Sequence, residues 1–168
     1  MLKAMGCGVV LSMVVLGAGG VTGPVRSELE QLPVLPEART RRPPADWLVT
    51  PLGDKAGVYR GRDARELVLN NGLISRTWRL SPNAATVAFD NLMTEQSLLR
   101  GVKPEALLQV DGAQVVVGGL SGQPNYAYLK PEWLDAMRSD PAAFQFTGFA
   151  MGATAKQPWP TSVGRGVA

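Results

Sequence analysis

Two dipeptides constrain this chain more than any other feature. Asn71-Gly72 and Asp111-Gly112 each stand between short runs rich in apolar and β-branched residues, ELVLNNGLISRTWRL (66–80) and ALLQVDGAQVVVGG (106–119). Both central residues of a type I′ turn need positive φ, and Asn-Gly and Asp-Gly meet that need at little cost. Such signals predict antiparallel hairpins. With Asn71-Gly72 at the centre of the first, Leu69 stands opposite Ile74 and Leu67 opposite Arg76. Leu67, Leu69, Ile74, Trp78 and Leu80 then share one face. The other face carries Glu66, Ser75, Thr77 and Arg79 beside Val68 and Leu73. A face that is mostly apolar opposite a mixed one suits a strand pair covering a core. In the second hairpin Ala106, Leu108 and Val110 pair with Val117, Val115 and Ala113. Its second strand is dominated by β-branched residues, as strands prefer.

The remaining signals agree with a β protein. Ser81-Pro82-Asn83 introduces a short strand over 85–89, which Asp90-Asn91 should end as turn residues. KPEWLDAMRS (130–139) reads as the one short helix, with Pro131 in its first turn, Glu132 at its positive end, and Trp133 and Met137 four apart on one face. AFQFTGF (143–149) alternates Phe144 and Phe146 with polar partners and reads as a further strand. The architecture expected is all-β: an antiparallel β-sandwich, supersandwich-like and incomplete, with one short helix. No internal repeat is evident.

The first residues read differently. Lys3, an apolar run from Gly8 to Leu16 and a small-residue stretch over 17–23 have the layout of a secretory signal. The run falls short of the ~20 apolar residues of a membrane span. The expected division is a signal over 1–26, a proline-rich linker over 27–45, a β-sandwich over 46–160 and a tail over 161–168. Export to the periplasm or cell exterior follows, with membrane contact only through an uncleaved signal.

Composition then excludes chemistry. The chain has no histidine, so a Ser-His-Asp triad is ruled out and the commonest general base is missing. The single cysteine, Cys7, lies in the leader, leaving neither a disulfide framework nor a thiolate in the mature chain. The net charge of +3 rests on 17 basic and 14 acidic residues; setting aside Lys3 and Arg26 leaves 15 against 14. Arg39, Arg41 and Arg42 cluster beside Pro43 and Pro44, but no basic face suited to nucleic acid emerges. Neither a Walker loop nor a dinucleotide fingerprint is present, and no cofactor is implied.

Two sets of residues invite a functional reading. Asp90, Glu95, Glu105, Glu132 and Asp135 are the carboxylates from which an acid and a nucleophile could be drawn, though nothing in their spacing separates one role from the other. Arg76, on the apolar face of the first hairpin, needs either a sheet edge or a carboxylate from a partner domain. The segment SGQPNYAYLKPEW (121–133) groups Gln123, Asn125, Tyr126, Tyr128 and Trp133. Amides and aromatic rings in one loop suit contact with a glycan. They suit still better a loop that folds its rings onto the core and its hydroxyls onto the backbone.

LNNGLISRTWRLSPNAATVAFDNLMTEQSLLRGVKPEALLQVDG, followed by VGGLSGQPNYAYLKPEWLD and FQFTGF, resembles the N-terminal region of large secreted bacterial glycoside hydrolases of the α-galactosidase type. The resemblance runs from Trp47 to Trp159. It implies a β-supersandwich preceding a (β/α)8 catalytic barrel. Such a barrel takes about 250 residues and is not in this chain. The resemblance therefore transfers no catalytic residue, and implies a partner barrel and a glycan near the sandwich loops. The competing reading is a free-standing carbohydrate-binding or protein-interaction module.

Overall fold

A computed structural model of the chain describes residues 7–13, 28–43, 46–50, 53 and 55–153. The expected tail over 161–168 and most of the expected signal lie outside these residues. Strands β2 (Gly57–Arg60), β3 (Glu66–Asn70), β4 (Ile74–Arg79), β5 (Ala85–Asn91) and β6 (Gln96–Ser97) form one antiparallel meander in sequence order. Strands β7 (Ala106–Val110) and β8 (Ala113–Val117) form a separate hairpin. Strand β1 (Cys7–Met13) pairs antiparallel with β9 (Phe146–Ala153). The all-β, sandwich-like class expected from the two turns is the class observed.

The second hairpin has the expected register, with Ala106 opposite Val117, Leu108 opposite Val115 and Val110 opposite Ala113. Asp111 and Gly112 both take positive φ, at 50° and 81°, as a type I′ turn requires.

The first hairpin differs. Leu69 stands opposite Arg76 and Leu67 opposite Trp78, so the turn centres on Gly72 and Leu73. Gly72 alone has positive φ, at 85°, as the first of two central residues in the manner of type II′. Asparagine side chains drive the change. Asn70 Oδ1 accepts the Gly72 N–H, and Asn71 Oδ1 accepts the N–H groups of Leu73 and Ile74. These local bonds hold Asn71 outside the turn centre. The shift amounts to two residues, so every side chain keeps its expected face.

Two cores follow. Val58, Leu67 and Trp78 of the sheet share one with Leu80, Ala84, and Phe146 and Phe149 of β9. This contact of β9 with the five-stranded sheet makes the fold sandwich-like. Leu29 and Leu32 complete the cluster. Residues 28–43 of the expected proline-rich linker thus lie along the domain as a strap. Val34 bridges Arg60 in parallel, and Glu37–Thr40 forms a 3-10 helix.

The second core joins Ala85, Val87, Val102 and Leu120 to Leu134 and Met137. Thr77 pairs with Ala88 but Trp78 with Thr86, so Val87 is an extra residue in β5. Such a bulge re-aims a side chain. Strand β5 also runs on to Asn91, and Asp90-Asn91, expected to turn the chain, are its last residues. The short helix expected over 130–139 is a 3-10 helix, Pro131–Ala136, with only Leu134 buried among its residues. Lys130 and Met137 flank it in extended conformation. Phe144 precedes β9 and bridges Val117.

Candidate functional site

The loop over 121–133 holds the expected glycan contacts, and it divides them. Gln123 is buried. Its Oε1 accepts the Val102 N–H at 2.9 Å, and its Nε2 donates to the carbonyls of Arg100, Asn125 and Tyr128. With its amide committed to backbone on both sides, Gln123 ties the loop to residues 100–102 and has nothing left for a ligand. Asn125 Oδ1 accepts the Ala127 N–H within the loop.

The aromatic residues remain available in part. Tyr126 and Tyr128 are exposed. Lys103 Nζ lies 4.0 Å from the Tyr126 ring centroid. A Cβ at Gly101 would come within 2.6 Å of the same ring, so glycine there lets it lie against the backbone. Tyr128 and Trp133 are tilted rings 5.3 Å apart, and Trp133 leans on the second core. Lys103 thus covers Tyr126, while Lys130 lies over the Tyr128–Trp133 pair.

The carboxylates scatter. Glu105 is enclosed by the sheet: its Oε2 accepts from the Trp78 indole at 2.9 Å and from Arg76 at 2.8 Å, and its Oε1 accepts the Thr86 N–H at 2.6 Å. Arg76 stacks on the Trp78 ring at 4.3 Å and also donates to Thr86 Oγ1. The carboxylate partner that Arg76 needs is therefore in this chain. Glu132 lies 3.9 Å from Lys130, whereas Asp135 pairs with Arg65 and Arg79. Asp90 and Glu95 line one cavity.

Asp63, Arg65, Arg79 and Asp135 form an ionic cluster that no sequence pattern announces. Arg79 is only 3% exposed, and its guanidinium reaches both Asp63 and Asp135. Its Nε is buried without a hydrogen-bond partner. Arg65 Nε donates to Asp63 Oδ1 at 2.9 Å. That hydrogen bond holds the Asp63 carboxyl down at about 2 against the opposing effect of burial. Asp135 is lowered too, first by its bond to Arg65 and then by the charge of Arg79. Apart from Arg79 Nε the four groups pair with one another, so the cluster is a clasp between residues 63–65, β4 and the second 3-10 helix.

A cavity of about 650 Å³ lies between the strap and the polar face of the sheet. Val68, Ser75, Thr77 and Asp90 form part of its floor, with Leu35 and Thr40 on the strap side. The register of β3, β4 and β5 explains the floor, because Ser75 stands opposite both Asn70 and Asp90, and Thr77 opposite Val68. Among the described residues, no three His, Cys, Asp or Glu side chains gather to hold a metal ion. No protein-family model, curated protein or solved structure matches the chain.

Proposed function

We propose that this chain is a non-catalytic β-sandwich module of an exported glycoside hydrolase, supporting an α-galactosidase-like barrel on a separate stretch of polypeptide. The observation that carries the reading is the β7–β8 hairpin. Leu107, Leu108 and Val110 are 61%, 43% and 52% exposed. Leu108 and Val110 lie on one face of the hairpin and Leu107 on the other. A two-stranded hairpin alone is marginal in water, and apolar residues on both faces ask for cover. The sequence resemblance supplies the identity of the cover, a (β/α)8 barrel acting on galactosides.

The test is sedimentation velocity of the full chain mixed with an α-galactosidase-type barrel made as a separate polypeptide. The reading expects a complex that Leu107→Asp and Val110→Asp abolish. Absence of a complex contradicts it.

Exposed Tyr126 and Tyr128, the latter beside half-buried Trp133, favour a second reading, a free-standing carbohydrate-binding module. That reading expects thermal unfolding to move upward with a galactose-containing oligosaccharide, because a ligand stabilises the state it binds. It also expects Tyr128→Ala to remove the shift.

A further inference from the structure

We propose that the cavity between the strap and the polar face of the sheet is a binding site for a small, hydroxyl-bearing organic cation. The inference does not depend on the docking reading, which concerns the β7–β8 hairpin.

The first ground is an unpaired hydroxyl. Ser75, the second residue of β4, is 6% exposed and lines the cavity. Its hydroxyl makes no hydrogen bond among the described residues and is not among the fully enclosed side-chain atoms left without a partner, so it is reached from the cavity. A hydroxyl on an otherwise buried residue, open only toward a cavity, is placed to bond whatever fills it. Its neighbours across the sheet are Asn70 and Asp90, and neither bonds it. Asn70 spends its side chain on Arg39 O and the Gly72 N–H. A molecule in the cavity can supply both a donor and an acceptor to the serine. Thr77, on the same face two residues along, offers a second hydroxyl.

The second ground is charge. Glu66, Asp90 and Glu95 line the cavity, and none of them forms a salt bridge among the described residues. Arg62 is the one cation in the lining. Glu37 also lines it but is engaged by Arg41. An anion entering here would meet three unpaired carboxylates, so the site selects against it. A protonated amine would gain from them. Burial pushes the Glu66 carboxyl above its ordinary value, with the charge of Asp63 adding to the effect. A cation beside Glu66 would relieve that cost.

Size and apolar lining agree with such a ligand. The volume, about 650 Å³, lies within the range of small-molecule pockets, roughly 300–1,000 Å³. Val68, Leu92 and Leu35 give apolar surface for the carbon skeleton between the polar contacts. An amino sugar has the required pattern: several hydroxyls, one ammonium group and a compact apolar face.

The test is calorimetric titration of the full chain with D-glucosamine and with D-glucose, the neutral counterpart, at millimolar concentration. The proposal expects glucosamine to bind and glucose to bind at least about tenfold more weakly, as loss of one charge-assisted hydrogen bond implies. Asp90→Asn and Ser75→Ala should each weaken glucosamine by about tenfold while leaving the thermal transition of the free protein in place. Asp90→Asn is the milder change and keeps the test valid if Ser75→Ala perturbs the sheet. No heat from glucosamine overturns the proposal. Equal binding of the two sugars overturns the cationic part, and binding unchanged in Asp90→Asn moves it to another surface and overturns the site.

Discussion

The Trp78 indole N–H donates to Glu105 Oε2 at 2.9 Å, joining the far end of β4 to the residue before β7. The same carboxylate also holds Arg76 and the Thr86 N–H, so one side chain ties three positions of the sheet to the base of the second hairpin. Its side chain is 15% exposed and Arg76 is 41% exposed, so removing it leaves Arg76 to water but the Trp78 and Thr86 N–H groups short of an acceptor. Glu105→Ala is expected to destabilise the fold by about 3 kcal/mol, as two N–H groups lose their acceptor. Glu105→Gln should cost less, about 1–2 kcal/mol, since an amide oxygen still accepts one of the three bonds. Urea unfolding followed by tryptophan fluorescence reads both values.

Gln123 leads to a separate prediction. Its Oε1 satisfies the buried Val102 N–H, and its Nε2 gathers three carbonyls. Gln123→Ala should destabilise by about 2–3 kcal/mol through unpaired backbone groups. Amide exchange at Val102 should quicken more than at Leu67, which lies in the other core. A purely ligand-contacting glutamine would leave both amides unchanged.

Acid titration should separate two carboxylates of opposite sign. Asp63 is held at about 2 against an ordinary value of 3.8, so its contribution is present above 3.8 and is lost as pH falls toward about 2. Solvent screens this cluster, so the loss is about 1 kcal/mol and Asp63→Asn should remove it. Glu66 behaves in the other direction. Its folded value is raised by burial, so ionisation at neutral pH opposes folding and stability improves as pH falls through that value. Glu66→Gln should therefore raise Tm at neutral pH by a few degrees. Thermal unfolding across pH 2–7 tests both signs.

The apolar stretch near the N-terminus gives a fourth. Residues Cys7–Met13 form β1 along β9. Removal of the expected signal, with its cut before residue 27, would take β1 away and leave the β9 edge open. An unpaired edge invites association. A chain beginning at residue 28 is expected to unfold at lower temperature than the full chain and to self-associate in a concentration-dependent way. Static light scattering of the two chains decides it; equal Tm and equal mass per chain contradict the prediction.

The parts of the fold legible in sequence share a cause. Asp111-Gly112 has one low-cost turn, so its hairpin register follows directly. Asn70-Asn71-Gly72 has more than one, because each asparagine can close a local ring with the backbone, and the centre moves to Gly72-Leu73. The faces survived because a two-residue shift preserves the alternation. The strap was illegible because Leu29 and Leu32 sit among prolines without any period. Gln123 looked like a surface contact because an amide in a Gly-Pro-rich loop carries no sign of burial. The cavity residues are drawn from both ends of a meander plus the strap, and the Asp63 clasp spans residues 63–135, so neither forms a local motif.

The proposed docking rests on the contrast between a well-covered sheet and a hairpin with exposed apolar residues. Hydrogen–deuterium exchange of the full chain, read residue by residue, tests that most directly. The account predicts that amides of β7 and β8 exchange far faster than those of β3 and β4, as in a unit of low local stability. Protection of Leu108 and Val115 equal to that of Leu67 and Trp78 would contradict it, because a hairpin already that stable has no need of a docking domain.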